Sequence, residues 1–133
     1  VCADRVFFTG TDGKTTEVEY PDGTLSGVNV SSSYLCALFE NSNDVSEKYR
    51  ISVISPDGTT QSALFDADYV SMTSYADKAY LLMPEGIRSF ENGVFSEPIL
   101  IHKEYSSDSV LLSFSEKRLY LCSKSAAYVI GVE

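Results

Sequence analysis

The chain has 133 residues, 44% of them hydrophobic and 22% charged, with a formal net charge of −9 and a pI near 4.5. That length and composition suit one globular domain with a packed core rather than a disordered chain. The acidity argues against gripping nucleic-acid phosphates or an anionic membrane surface, since Lys and Arg supply most of the affinity for both.

The first predicted strands are Arg5–Gly10 and Thr15–Tyr20, with Thr11-Asp12-Gly13-Lys14 as the turn between them. Glu17-Val18-Glu19-Tyr20 alternates polar and apolar, the pattern of a half-buried strand. Pro21-Asp22-Gly23-Thr24 is the next turn, Asp-Gly supplying the positive φ that tight hairpins need. Four strands follow, near Val28–Ser31, Tyr34–Phe39, Tyr49–Ile54 and Thr60–Phe65. Asn43 to Lys48 reads as a polar loop and Pro56-Asp57-Gly58-Thr59 as a turn. The next four are placed near Val70–Tyr75, Ala79–Met83, Ile87–Phe90 and Val94–Ile101, with turns at Pro84-Glu85-Gly86 and Asn92-Gly93. The last three are Val110–Ser115, Arg118–Ser123 and Ala127–Val132. No helix is expected, and no apolar run approaches the ~20 residues that span a bilayer. No segment reads as a signal peptide, and the start at Val1 suits a processed form or a piece of something longer.

The strands recur. A shift of 45 lays Arg5-Val6-Phe7-Phe8 over Arg50-Ile51-Ser52-Val53, Asp12-Gly13 over Asp57-Gly58, and Leu35-Cys36-Ala37 over Tyr80-Leu81-Leu82. A shift of 40 then lays Tyr80-Leu81-Leu82 over Tyr120-Leu121-Cys122 and Phe90 over Ile130. Four antiparallel strands in about 40–45 residues make one β-propeller blade. The expected division of this single β-repeat domain is a partial blade at 1–25, blades at 26–68 and 69–108, and a partial blade at 109–133. A β-sandwich or barrel is the alternative.

The segment from Lys78 to Phe95 resembles the degenerate repeat of bacterial and phage propellers, in which an apolar strand leads to a Gly-apolar step and a strand ending in an Asn/Asp-Gly turn. Arg118 to Ile130 is similar to the same repeat in phage-tail propeller subunits. The chain lacks the Trp-Asp dipeptide of WD40 repeats, having no Trp, and the double glycine of kelch. The resemblance implies a structural virion or tail-assembly component. About three blades are too few for one ring. The chain is then a fragment of a longer propeller, or pairs with a second copy, or packs as a sandwich or barrel. On the first two readings it does not function as an isolated monomer.

No catalytic, cofactor or metal site is expected. His102 is the only histidine, and no Ser lies in Gly-x-Ser-x-Gly. Asp12, Asp22, Asp57, Asp66 and Asp68 read as turn and strand-end residues. Asp66-Ala67-Asp68 is too short for a calcium loop. Gly13-Lys14-Thr15 lacks the spacing and following helix of a phosphate loop. Cys2, Cys36 and Cys122 form no zinc-type spacing, and Cys36 and Cys122 sit in apolar runs as small hydrophobes. Asn29-Val30-Ser31 matches a glycosylation sequon, read as chance. Tyr34, Tyr80, Tyr120 and Tyr128 are assigned to the core, and Tyr49, Tyr69, Tyr75 and Tyr105 to surface contacts. The expected function is a non-catalytic protein-interaction or structural module that binds a protein partner or a second copy of itself, with no nucleic acid and no membrane. The alternative is a carbohydrate- or ligand-binding propeller module, with a glycan on a Tyr- and Asp-bearing loop face.

Overall fold

The computed structural model describes residues 5–9, 13–19, 23–41, 47–101, 104–115 and 117–131. Thirteen strands and no helix occur among them. They are β1 (Arg5–Thr9), β2 (Thr15–Glu19), β3 (Gly23–Ser31), β4 (Tyr34–Asn41), β5 (Tyr49–Ile54), β6 (Thr60–Phe65), β7 (Ser71–Tyr75), β8 (Lys78–Met83), β9 (Gly86–Glu91), β10 (Val94–Phe95), β11 (Val110–Ser115), β12 (Arg118–Cys122) and β13 (Ala127–Gly131). Every strand pairs antiparallel with its neighbour in sequence. The result is a hairpin β1–β2, two four-stranded meanders β3–β6 and β7–β10, and a three-stranded meander β11–β13. No sheet closes on itself among the described residues, so the barrel alternative has no support.

Two expected strand limits change by more than two residues. β3 begins at Gly23, earlier than predicted, and reaches along all of β4 past a bulge between Leu25 and Gly27. The predicted strand at 94–101 shrinks to Val94–Phe95, with only an isolated bridge from Ile99 to Ile87 beyond it. Pro98 lies between and has no N–H to give a ladder. Ile99 rejoins through two backbone bonds, Ile87 N–H to Ile99 O at 3.0 Å and Ile99 N–H to Ile87 O at 2.7 Å. This closeness requires glycine at position 86. Its φ is +130°, and a Cβ there would lie 2.3 Å from the Ile99 carbonyl oxygen.

The sheets stack face to face in chain order, and the two-residue period of each strand assigns its side chains. In β4, Leu35, Ala37 and Phe39 pack with Val18 and Ile54 toward the hairpin. Cys36 and Leu38 point the other way and join Ala79, Leu81, Met83 and Phe90 of the next sheet. In β8, Tyr80 and Leu82 face onward and pack with Leu111, Leu119 and Leu121. β4 and β8 are therefore buried on both faces, which is why they read as nearly continuous apolar runs. An aromatic row crosses the junction between β3–β6 and β7–β10. Tyr49 stacks on Phe65 at 5.4 Å, Phe65 meets Phe95 edge-on at 5.7 Å, and Phe95 lies 4.9 Å from Phe90.

A polar ladder ties the first strands of the three meanders. Asn29 Nδ2 donates to Thr73 Oγ1 at 3.2 Å, and the same oxygen accepts the Ser113 backbone N–H at 3.0 Å. Ser113 Oγ donates to Ser74 O at 2.7 Å. Ser71 Oγ accepts from Leu111 N at 3.1 Å, and Ser31 Oγ accepts from Ala76 N at 3.0 Å. The bonds to Ser113 N–H, Leu111 N–H and Ser74 O satisfy backbone groups on strands with no neighbour on that side in their own sheet.

The pairing keeps the 45-residue shift between β1–β2 and β5–β6, where Arg5↔Glu19 and Arg50↔Leu64 are equivalent, and corrects it between β4 and β8. β3–β4 and β7–β8 are both closed by two-residue turns, Ser32-Ser33 and Ala76-Asp77, so Leu35 holds the place of Ala79 and Cys36 that of Tyr80. The step between these hairpins is 44, the separation of Asn29 from Thr73. A shift one residue longer lays Leu35 over Tyr80, which faces the opposite way, because a single-residue slip exchanges the two faces of a strand. The shift of 40 from β8 to β12 keeps the faces in register, with Ala79 and Leu119 both pointing back along the stack.

Candidate interaction surfaces

The outer face of β11–β13 ends the stack. Its rows are Val110, Cys122 and Ala127, then Leu112, Tyr120 and Val129. Val110, Leu112 and Val129 are 47%, 48% and 60% exposed, whereas Leu111, Leu119 and Leu121 on the inner face are buried. This face also breaks the polar ladder. By strand pairing, Asn29, Thr73 and Leu112 hold one position in three successive sheets, and Gly27, Ser71 and Val110 another. Where β3 and β7 offer polar groups to the next sheet, β11 offers Leu and Val.

At the opposite end, the two-stranded hairpin covers β4 and part of β5 through Val18 and leaves the back of β3 open. Val28 and Val30 there are 47% and 58% exposed. Their counterparts in β7, Met72 and Ser74, are covered.

A groove runs along one end of the last two meanders. Two cavities, of about 470 Å³ and 270 Å³, share Glu104 and Tyr105. The larger is lined by Tyr69, Pro84, Glu85, Leu100 and Ile101, the smaller by Ser106, Asp108, Ser109, Ser123, Lys124 and Ser125. Leu100, Ile101, Glu104, Tyr105, Ser106, Asp108 and Ser109, between β10 and β11, build much of this wall. Tyr105 is its anchor: the phenol bonds Pro84 O at 2.8 Å and Met83 O at 3.0 Å. Burial, then Tyr69 and Glu85 nearby, raise the Tyr105 phenol above its ordinary pKa. On the far side Ser106 N–H donates to Ser109 Oγ, and Asp108 N–H to Ser106 Oγ.

No family model matches the chain, and comparison with curated proteins and with solved structures gives no match. The surfaces must therefore be judged on their own chemistry.

The residues singled out in the sequence scatter. Cys2, Asp12, Asp22 and His102 lie outside the described residues. Asp66 and Asp68 are exposed at the end of β6 on either side of buried Ala67. No group of three His, Cys, Asp or Glu able to hold a metal occurs among the described residues. Asp57 is held by its own turn: Ser55 Oγ and the Thr59 N–H both donate to its carboxylate, and its pKa falls to about 2. Gly13 has φ +82° in the segment joining β1 to β2, and Lys14-Thr15 leads into β2 rather than a helix. Cys36 is fully buried, and burial pushes its thiol up to about 11, with Asp77 adding to the rise and Ser74 opposing it. Asn29 of the sequon turns into the sheet junction to meet Thr73.

The tyrosine assignments need correction. Tyr80 is buried, and Tyr34 and Tyr128 pack on the cores, but Tyr120 stands on the outer face of the last sheet. Tyr49, expected on the surface, is 7% exposed, because its pairing with Glu40 and Phe65 draws it into the sheet and onto the Phe65 ring. Tyr75 and Tyr105 pack on the second core. The groove itself was not foreseen. Its signal in the sequence is Pro98, inside the strand predicted over 94–101.

Proposed function

We propose that the chain is an arc of a β-propeller and acts as a non-catalytic interaction and assembly module. The observation that carries this is the outer face of β11–β13, a sheet face of the kind buried at both interior junctions but here exposed and apolar. The open Val28 and Val30 at the other end of the stack support the same reading. Successive meanders of four, four and three strands, with steps of 44 residues from β4 to β8 and 40 from β8 to β12, are what degenerate propeller blades would give. The likeness of Lys78–Phe95 to bacterial and phage propeller repeats, and of Arg118–Ile130 to those of phage-tail propeller subunits, makes a virion or tail assembly the proposed setting. The partner is a protein sheet face, or a second copy, that covers Leu112 and Val129. The net charge of −9 disfavours a nucleic acid or an anionic bilayer as the covering surface.

Light scattering of the purified chain across a concentration series tests this. Self-association at micromolar concentration, reversed by Leu112→Glu with Val129→Glu, is the expected result. Cys122, in the same face, should be alkylated faster in the double variant than in the parent assembly. A monodisperse monomer with no tendency to associate or to capture a sheet-bearing partner would overturn the reading.

A further inference from the structure

We infer that the outer face of β11–β13 receives the β1–β2 end of a second copy of the chain, so that copies join head to tail. The inference rests on the reading of that face as a docking surface and names its occupant.

Three observations carry it. The first is order. At both interior junctions the onward face of one meander meets the back of the next. The hairpin β1–β2 holds the place of β5–β6, since Arg5↔Glu19 and Arg50↔Leu64 are equivalent pairs. On that equivalence Phe7 and Thr9 stand where β5 has Ser52 and Ile54. Both β5 residues are fully buried, whereas Phe7 is 60% exposed and Thr9 is exposed too. Val18 faces the next sheet, so Phe7 and its cross-strand partner Glu17 lie on the side turned away from it. Among the described residues the hairpin has no sheet behind it and β11–β13 has none in front. A second copy set in the same order covers both.

The second observation is the apolar match. Phe7 offers an exposed ring, and Leu112, Tyr120 and Val129 form one row across the last sheet. The third is charge. Residues 1–25 carry five acids against Arg5 and Lys14. Residues 26–68 and 69–108 carry six acids each, against two and three bases. Only residues 109–133 have an excess of base, with Lys117, Arg118 and Lys124 against Glu116 and Glu133. Arg118 is exposed and shares the outer side of β12 with Tyr120 and Cys122. Head-to-tail contact therefore sets the basic end of one copy on the acidic end of the next. Two last sheets placed face to face would oppose like charges, which costs affinity. A heterologous contact of this kind closes into a ring or extends as a chain of copies.

The test is sedimentation velocity of the full 133-residue chain and of mixed variants. The Phe7→Glu variant and the Leu112→Glu, Val129→Glu variant should each be monomeric alone, with the parent's thermal midpoint. Mixed in equal amounts, they should form a one-to-one dimer and nothing larger, because each supplies the end that the other lacks. Glu17→Arg should weaken the parent's association at least about tenfold, and adding Arg118→Glu to the same chain should restore part of it. Association of Phe7→Glu as strong as the parent's, or a mixture that stays monomeric, would overturn the head-to-tail contact and leave the outer face as a docking surface for something else. A parent that never associates would overturn it as well, with the docking reading then decided by capture of another partner. Association that is lost in Phe7→Glu but kept in Leu112→Glu, Val129→Glu would overturn both.

Discussion

β8 and β12 hold the same place in successive meanders and carry nearly the same residues, yet only one is buried throughout. Ala79-Tyr80-Leu81-Leu82-Met83 is covered on both faces. In Leu119-Tyr120-Leu121-Cys122 the leucines are buried while Tyr120 and Cys122 look outward, half-covered. The residues do not make this difference. Neighbours do: β8 has a sheet on either side and β12 on one. The last sheet thus carries an apolar outer face of the type that elsewhere requires a neighbour.

The comparison can be broken most forcefully at its buried end. Leu81→Ala should cost roughly 2–5 kcal/mol in urea denaturation, because Leu81 is fully enclosed between two sheets. Leu112→Ala on the open face should cost within about 0.5 kcal/mol in the monomer. Equal losses at the two positions would mean that the outer face is covered after all. Gly86→Ala comes next, at about 1–3 kcal/mol, since the residue combines a positive φ with a carbonyl 2.3 Å from the new Cβ. Its thermal midpoint should fall, and the tether of Ile99 should loosen with it. Thr73→Val keeps the shape but removes the oxygen that serves both Asn29 and Ser113, and should cost about 1–2 kcal/mol. Thr60→Val, on the exposed strand β6, is the control and should change little.

The smallest effect is local and depends on pH. The Asp57 carboxylate is depressed from 3.8 to about 2 by Ser55 and Thr59. A depressed acid stabilises its turn fully above the ordinary carboxylate range, and that contribution fades as pH falls through about 2. An NMR titration of the Asp57 carboxyl and the Thr59 amide should show one midpoint near 2, and Asp57→Asn should abolish the amide's response. A midpoint in the ordinary Asp range would remove the turn's hydrogen bonds from the account.

Much of the strand order was legible because the turns announce themselves and the alternation is strict. Tyr49–Ile54, Thr60–Phe65 and Val110–Ser115 lie where the pattern places them. Errors arose where one residue decides. The 45-residue shift matched apolar with apolar in β4 and β8, but both strands are apolar on both faces, so composition could not reveal the slip. Pro98 ended a strand that alternation alone would have continued. The surfaces were harder still. Tyr49 and Tyr120 exchange their expected places because burial depends on which sheet lies opposite, and no local window of sequence contains that information. The groove joins Tyr69, Glu85, Tyr105 and Lys124 through the stacking of two meanders, a proximity invisible to spacing.

The hydroxyl ladder offers one more use. The amide protons of Leu111 and Ser113 are held by side chains of β7 rather than by β12. Their exchange with solvent deuterium therefore reports the separation of one sheet from the next, while alternate amides along β11 report the fraying of the sheet itself. Two clocks run on a single strand. If the sheets part as rigid bodies, Leu111 and Ser113 will exchange before their neighbours. If the stack opens as one cooperative unit, both sets will keep the same time.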